Sequence, residues 1–279
     1  MAAPHKIDSP IDANAVLVLG GTGHLGSDIV EHLLKLGRHV RVLARRPGSD
    51  TRVHWFRGDL ATGAGLDAAF SGVKHVIHAA TNSPIARRGR LMLRDLWSSP
   101  DDVDIQGTRY ALEAAERRSV EHFVFVSIVG LEDSRLPYSR VKLAGEMLVR
   151  ASSIPWSVVH ATPFFYLVER LLNGLHRWPI WPLPRSPFQP VDTRDVAEYL
   201  VDCLDRDRRG LLPPIGGPEV ISYAAMAHAH LAARGLHKQI IDVPLPERWA
   251  RSGGLVKLND GIRGVRSWQR WLDERTAGR

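Results

Sequence analysis

The sequence predicts an α/β protein, a doubly wound parallel sheet with a smaller C-terminal lobe. Three observations lead there. Short apolar runs of strand length alternate with amphipathic helical stretches. A glycine-rich loop joins the first run to the first helix. The alternation then ends after Thr162, where prolines and tryptophans crowd together.

Six runs read as strands: Ala15 to Gly20, His39 to Ala44, Val53 to Phe56, Val73 to His78, His122 to Ser127 and Trp156 to His160. Between the first two, Leu25, Ile29, Leu33 and Leu36 recur at helical spacing, and Gly37 supplies the stop. Two further helices, Asp104 to Arg118 and Tyr138 to Arg150, bracket the fifth strand. Beyond Thr162, the run Trp178, Pro179, Trp181, Pro182, Pro184, Pro187 and Pro190 excludes a regular helix or a central strand. Ser222 to Gly235 and Ile262 to Thr276 then read as helices, and Asp192 and Asp195 as caps at the start of a helix.

Composition narrows the function. With 279 residues, 44% hydrophobic and 24% charged, the chain can bury one large core, or one core and a lobe. The formal charge of +7 is spread along the sequence, so it predicts a solubilising surface and no nucleic-acid partner. No apolar run reaches about 18 residues, so no membrane span is expected. Cys203 is the only cysteine, which fits a reducing, cytoplasmic setting. His228 and His230 have no carboxylate or cysteine at a familiar ligand spacing, and no metal is expected.

Gly20-Gly-Thr-Gly-His-Leu-Gly26 follows a strand and opens a helix, the context in which a glycine pattern signifies dinucleotide binding and a Rossmann-type fold. Gly20 or Gly21 allows the tight turn, Gly23 lets backbone approach a pyrophosphate, and Gly26 lets the helix pack closely; Thr22, His24 and Leu25 complete the phosphate-binding segment. Where an acid would bind the ribose hydroxyls of NAD, the chain has Arg45-Arg46, whose guanidinium groups suit the 2'-phosphate of NADP. NADP is therefore preferred to NAD. Asp59 and Leu60 end the third strand near the expected adenine, and Ala79, Ala80 and Thr81 close the fourth with small side chains that let backbone lie against a ribose. These motifs divide the chain into a flexible leader (1–14), a dinucleotide-binding core (15–162) and a mostly C-terminal substrate lobe (163–279), with 190–205 returning to pack on the core.

The catalytic signal is Ser127 at the end of the fifth strand, followed by Tyr138-Ser-Arg-Val-Lys142 at the start of a helix. Residues i and i+4 share a helical face, so Tyr138 and Lys142 can act on one site at the sheet's carboxyl edge. Taken together, the glycine loop, Arg45-Arg46-Pro47, Gly58-Asp59-Leu60, His78-Ala-Ala-Thr81, Val126-Ser-Ile-Val-Gly130, Tyr138 to Lys142 and Pro190 to Val196 resemble the short-chain dehydrogenase/reductases, and more closely their atypical NmrA-like branch. The resemblance implies a carbonyl reductase. In it Tyr138 is the general acid, its pKa lowered by Lys142, Lys142 also binds the nicotinamide ribose, Ser127 hydrogen-bonds the substrate oxygen, and Pro163 joins the cofactor contacts. Asp104 stands where many relatives have Asn, and His160-Ala-Thr-Pro163 stands where an Arg-Pro pair is common.

Phe164, Phe165, Trp178 and Trp181, with Phe188, supply aromatic surface for a flat hydrophobic carbonyl, enone or quinone-like substrate, or equally for the core that fastens the lobe. Asn82 to Asp102, with Arg87, Arg88, Arg90 and Trp97, reads as a lid or a solvated loop. Two rivals stay open: a non-catalytic NmrA-type redox sensor, whose known members typically lack the tyrosine, and an epimerase or dehydratase using the same Ser-Tyr-Lys set. Monomer and homodimer are equally compatible with the sequence.

Overall fold

The structure, a computed structural model, describes residues 15–83, 99–132, 134, 136–244 and 257–277. The leader at 1–14 and most of the expected lid, with Arg87, Arg88, Arg90 and Trp97, lie outside the described residues. The main sheet begins with β1 (Val16–Leu19), β2 (Val40–Ala44), β3 (Val53–Arg57), β4 (His75–His78), β5 (His122–Ile128) and β6 (Trp156–Ala161). The six expected strands are all present, and the sheet continues past them. Three short strands, β9 (Gly210–Leu211), β10 (Ile215–Gly216) and β13 (Ile262–Arg263), extend it to nine, in the order β13-β10-β6-β5-β4-β1-β2-β3 with β9 beside β6. Their two-residue length left no periodicity in the sequence. All pairs in this sheet are parallel, and the reversal of strand order at β1 and β4 opens a crevice beyond their carboxyl ends.

β1 is buried at all four residues because helices cover both faces. On one face lie α1 (His24–Lys35) and α6 (Thr193–Asp205), which contribute Leu25, Ile29 and Leu33, and Val196, Leu200 and Cys203, to a single apolar cluster. On the other lie α2 (Leu66–Phe70), α3 (Thr108–Arg117) and α4 (Pro137–Arg150). The helix expected from Asp104 begins instead with a π-helical turn, Asp102–Gly107, before α3 takes over. Such a turn widens the backbone and is frequent at functional sites.

A third cluster joins α5 (Phe165–Gly174), β7 (Ile180–Pro184), β8 (Pro187–Phe188), α7 (Tyr223–Ala232) and α8 (Trp268–Ala277). The proline-rich strands pair only in two-stranded sheets, β7 with β12 (Gln239–Val243) and β8 with β11 (Ile221–Ser222), where a missing N–H is tolerated. Trp268 is buried against Phe165 and Trp271, and its indole N–H donates to the carbonyl of Met226 at 3.1 Å. Asp192 caps α6, accepting from the Arg194 amide at 2.9 Å. Asp195 does not share that task, because its carboxylate accepts from the amides of Val265 and Arg266 and from the Arg266 guanidinium, fastening the C-terminal segment to the core. Ile262, expected in a helix, therefore forms an edge strand. Among the described residues no helix is long and apolar enough to cross a membrane.

Two predictions follow from this packing. Truncating Trp268 to Ala removes the ring at the centre of the third cluster and should cost about 3–5 kcal/mol in urea unfolding. The buried histidines His78, His122 and His230 are held neutral chiefly by burial, down to about 3, about 4 and about 4. The unfolded chain takes up protons on all three near 6.5, so stability is full above that pH and is lost as pH falls toward 4. Urea midpoints measured between pH 7 and 4 should decline, and His122→Gln should flatten the decline.

Candidate active site

A cavity of about 630 Å³ lies at the carboxyl edge of the sheet, floored by the glycine loop and closed on one side by α5. Gly20 turns the chain at φ +87, and a Cβ there would lie 2.6 Å from the backbone of Ala80. A Cβ on Gly26 would collide with the Gly20 carbonyl oxygen. Gly23 opens α1 without a side-chain cap, and a Cβ there would meet nothing closer than the Gly20 oxygen at 3.3 Å, so the first turn faces the cavity. A helix start of this kind, with bare backbone and no competing carboxylate, fits a pyrophosphate.

Thr22, His24, Leu25, Arg45, Asp59, Leu60, Ala79, Ala80, Thr81, Lys142 and Pro163 also line this cavity. Arg46 does not, since at the end of β2 successive side chains alternate in direction and only Arg45 reaches the wall. The carboxylate of Asp59 accepts from the amide of Ala61 at 3.0 Å, the ordinary use of such a residue in a turn.

The proposed substrate aromatics separate. Phe164 lines the cavity, whereas Phe165 and Trp181 are buried in the third cluster and Trp178 is 55% exposed. Phe188, also expected, does line the cavity, and the rest of this wall comes from Tyr166, Leu167, Leu171 and Tyr223. The signal for Tyr166, Leu167 and Leu171 was α5 itself, whose inner face begins straight after Pro163. Tyr166 stacks on His24 with ring centroids 4.0 Å apart, linking the glycine loop to this wall.

The polar end of the cavity depends on the segment after β4. His78 is fully buried, and because the amide of Ala80 donates to its Nδ1, the proton sits on Nε2, which faces the Thr108 hydroxyl at 3.1 Å. Thr108 in turn donates to the carbonyl of Asp104 at 2.8 Å. On the other side Gly145 of α4 faces the same carbonyl so closely that any side chain would clash. The Asp104 carboxylate is thereby held in the interior, accepting from the Asn82 amide at 2.8 Å and the Thr81 hydroxyl at 3.2 Å, with the Lys142 ammonium at 3.5 Å. Lys142 also lies 4.4 Å over the ring of Phe125, and burial pulls its pKa below the ordinary lysine value against the opposing pull of Asp104.

The Tyr138 hydroxyl lies 2.8 Å from that of Thr81, and Ser83 is a second hydroxyl partner. Its pKa is raised, not lowered: loss of water is the larger cause and the Asp104 charge the next. The Lys142 ammonium is engaged by Asp104, which explains why the expected lowering is not seen. Ser127 lines the cavity, yet its hydroxyl donates to Glu146 at 2.6 Å, so the proton expected for a substrate oxygen is already engaged. Glu146 also faces His160 at 3.0 Å; burial opposes its charge, but these two hydrogen bonds outweigh burial and hold the carboxyl below its usual range. Among the described residues no cluster of three His, Cys, Asp or Glu could hold a metal ion.

Against known proteins, residues 20–207 match the model of an NAD(P)H-binding family. The chain is 32% identical over 243 residues to the chloroplastic divinyl chlorophyllide a 8-vinyl-reductase of Oryza sativa subsp. indica, covering 78% of this chain and 57% of that protein. It is 27% identical over 201 residues to the photosystem II assembly factor Ycf39 of Cyanophora paradoxa, covering 68% of this chain and 59% of that protein. The chain thus spans little more than half the length of either relative. A short-chain dehydrogenase/reductase superfamily protein from Agrobacterium tumefaciens, solved with bound NAD, superposes with a TM-score of 0.69 at 22% identity, covering 94% of this chain and 96% of that one. The match across two thirds of the sequence assigns this chain to the NAD(P)H-binding family, and the superposition gives it the fold of the short-chain dehydrogenase/reductases.

Proposed function

We propose that this protein is an NADPH-preferring reductase of a flat, conjugated, apolar acceptor such as an enone, quinone or aryl carbonyl, with Tyr138 as the general acid. The observation that carries the reading is a protonated phenol and a buried ammonium at one end of a cavity floored by a dinucleotide loop. Similarity to a relative named as a vinyl-reductase supports reduction as the class of reaction.

The glycine loop and the start of α1 would hold the pyrophosphate, and Arg45 a 2'-phosphate. When bound, the nicotinamide supplies the hydride. Lys142 would orient the adjoining ribose. Tyr138 Oη would give its proton to the acceptor oxygen as negative charge grows there, so one hydride and one proton complete the two-electron reduction. Phe164 and Tyr166, with ring centroids 5.8 Å apart and planes 24° apart, offer a flat wall against which a conjugated acceptor can lie. Ser127, its proton already committed to Glu146, would line the cavity without donating to the acceptor.

A second reading, a dinucleotide-binding protein without turnover, is favoured by the similarity to an assembly factor. NADPH oxidation across a panel of quinones, ketones and enones decides between the two, since tight NADPH binding with no oxidation by any acceptor would establish the second. On the reductase reading, Tyr138→Phe keeps NADPH affinity and lowers kcat about 10²–10⁴-fold, while Ser127→Ala loses far less. Arg45→Asp should weaken NADPH about 10–100-fold in a fluorescence titration, the worth of one charge-assisted hydrogen bond, and leave NADH affinity unchanged or improved.

A further inference from the structure

Ser127, expected to hydrogen-bond the substrate oxygen, gives its proton to Glu146. One hydroxyl 2.8 Å from the phenol belongs to Thr81, on the segment after β4, and behind Thr81 stands Asp104. We propose that Thr81 and Asp104 are positioning residues that hold Tyr138 as a proton donor, with the phenol giving its hydrogen bond to Thr81 and Thr81 giving its own to Asp104.

A threonine hydroxyl has a single proton, and a carboxylate has none to give. With Thr81 Oγ1 3.2 Å from Asp104 Oδ2, that proton points at Asp104, and the 2.8 Å contact with Tyr138 is then satisfied only if the phenol donates, which leaves Ser83, the second hydroxyl partner, to donate to the phenol oxygen. An asparagine could donate or accept, leaving the direction open, so an acid at position 104 is what gives the chain a sense. Asp104 cannot swing away to take another partner, because the Asn82 amide holds Oδ2, Lys142 faces Oδ1, and the backbone of the turn is tied through Thr108 to His78.

Charged and titratable groups face this chain from each element packed against it. The segment ending β4 contributes His78, which is neutral, and the π turn contributes Asp102, whose carboxylate accepts from the Asn82 side chain at 2.7 Å. From α4 come Lys142 and Glu146, the latter occupied by Ser127 and His160. Across the cavity, α5 contributes Tyr166. The site is therefore built to give a proton, not to take one. An acceptor oxygen arriving beside Tyr138 competes with Thr81 for a proton already on the phenol. This deepens the reductase reading and rests on Tyr138 being its acid.

The test is a pH titration of phenolate absorbance in the full chain, using Tyr138→Phe to subtract the other tyrosines. No cofactor or acceptor is needed. In the parent protein Tyr138 should ionise well above the ordinary tyrosine value of about 10. Asp104→Asn should lower its midpoint by at least about one pH unit, a tenfold change in acidity. Thr81→Val should displace the midpoint, and Thr81→Ser should restore the parent value. Should Asp104→Asn fail to fold because Lys142 loses its partner, the Thr81 pair decides alone. Unmoved midpoints in folded Asp104→Asn and Thr81→Val, or a Ser variant behaving like Val, would overturn the proposal. An inert protein with the expected midpoints would instead overturn the reductase reading and leave this one standing.

Discussion

A carboxylate without water around it obliges its neighbours to supply donors, and Asp104 imposes that condition on three separate segments at once. The strand β4 and its following turn give the Asn82 amide and the Thr81 hydroxyl, α4 gives Lys142, and the π turn that carries Asp104 is fixed by Thr108 and His78. Removing one member of such a buried pair strands the other charge, which is far more costly than the pair's net worth. The positions of Tyr138 and Lys142 follow from this constraint more than from the helix they share. Gly145 completes it, because only a residue without a side chain lets α4 come so near the Asp104 carbonyl.

The remainder of the cavity is assembled by different physics. The glycine loop is shaped by close backbone contacts, whereas the opposite wall is the inner face of α5, fixed by the apolar cluster it shares with α7 and α8. Two polar ties lock that cluster to the sheet: Asp195 with the C-terminal segment around Arg266, and Arg194, which spans Asp192 and Glu274. The acceptor side of the site thus depends on residues far along the chain. A change in the C-terminal helix would be felt there through packing alone.

Much of the fold was legible because it is written in local period. The six central strands, α1 and the glycine loop each declare themselves within a dozen residues, as does the cap at Asp192. Elements of two residues carry no period, which is why β9, β10 and β13 were missed and Ile262 was assigned to a helix. The aromatic residues after Thr162 were legible as apolar but not as facing anything. Phe164 and Phe165 are adjacent in sequence, yet the start of α5 turns one to the cavity and the other to the core.

The sequence by itself determined the six central strands, the dinucleotide loop and the placing of Tyr138 and Lys142 on one helical face. Those are matters of spacing along a single element. Only the tertiary structure decided that Ser127 serves Glu146, that Thr81 reaches Tyr138, and that Lys142 answers to Asp104 before it can influence the phenol. These partners are 19, 57 and 38 residues apart. A hydrogen bond is a matter of a few tenths of an ångström in space, and separation along the chain does not encode it.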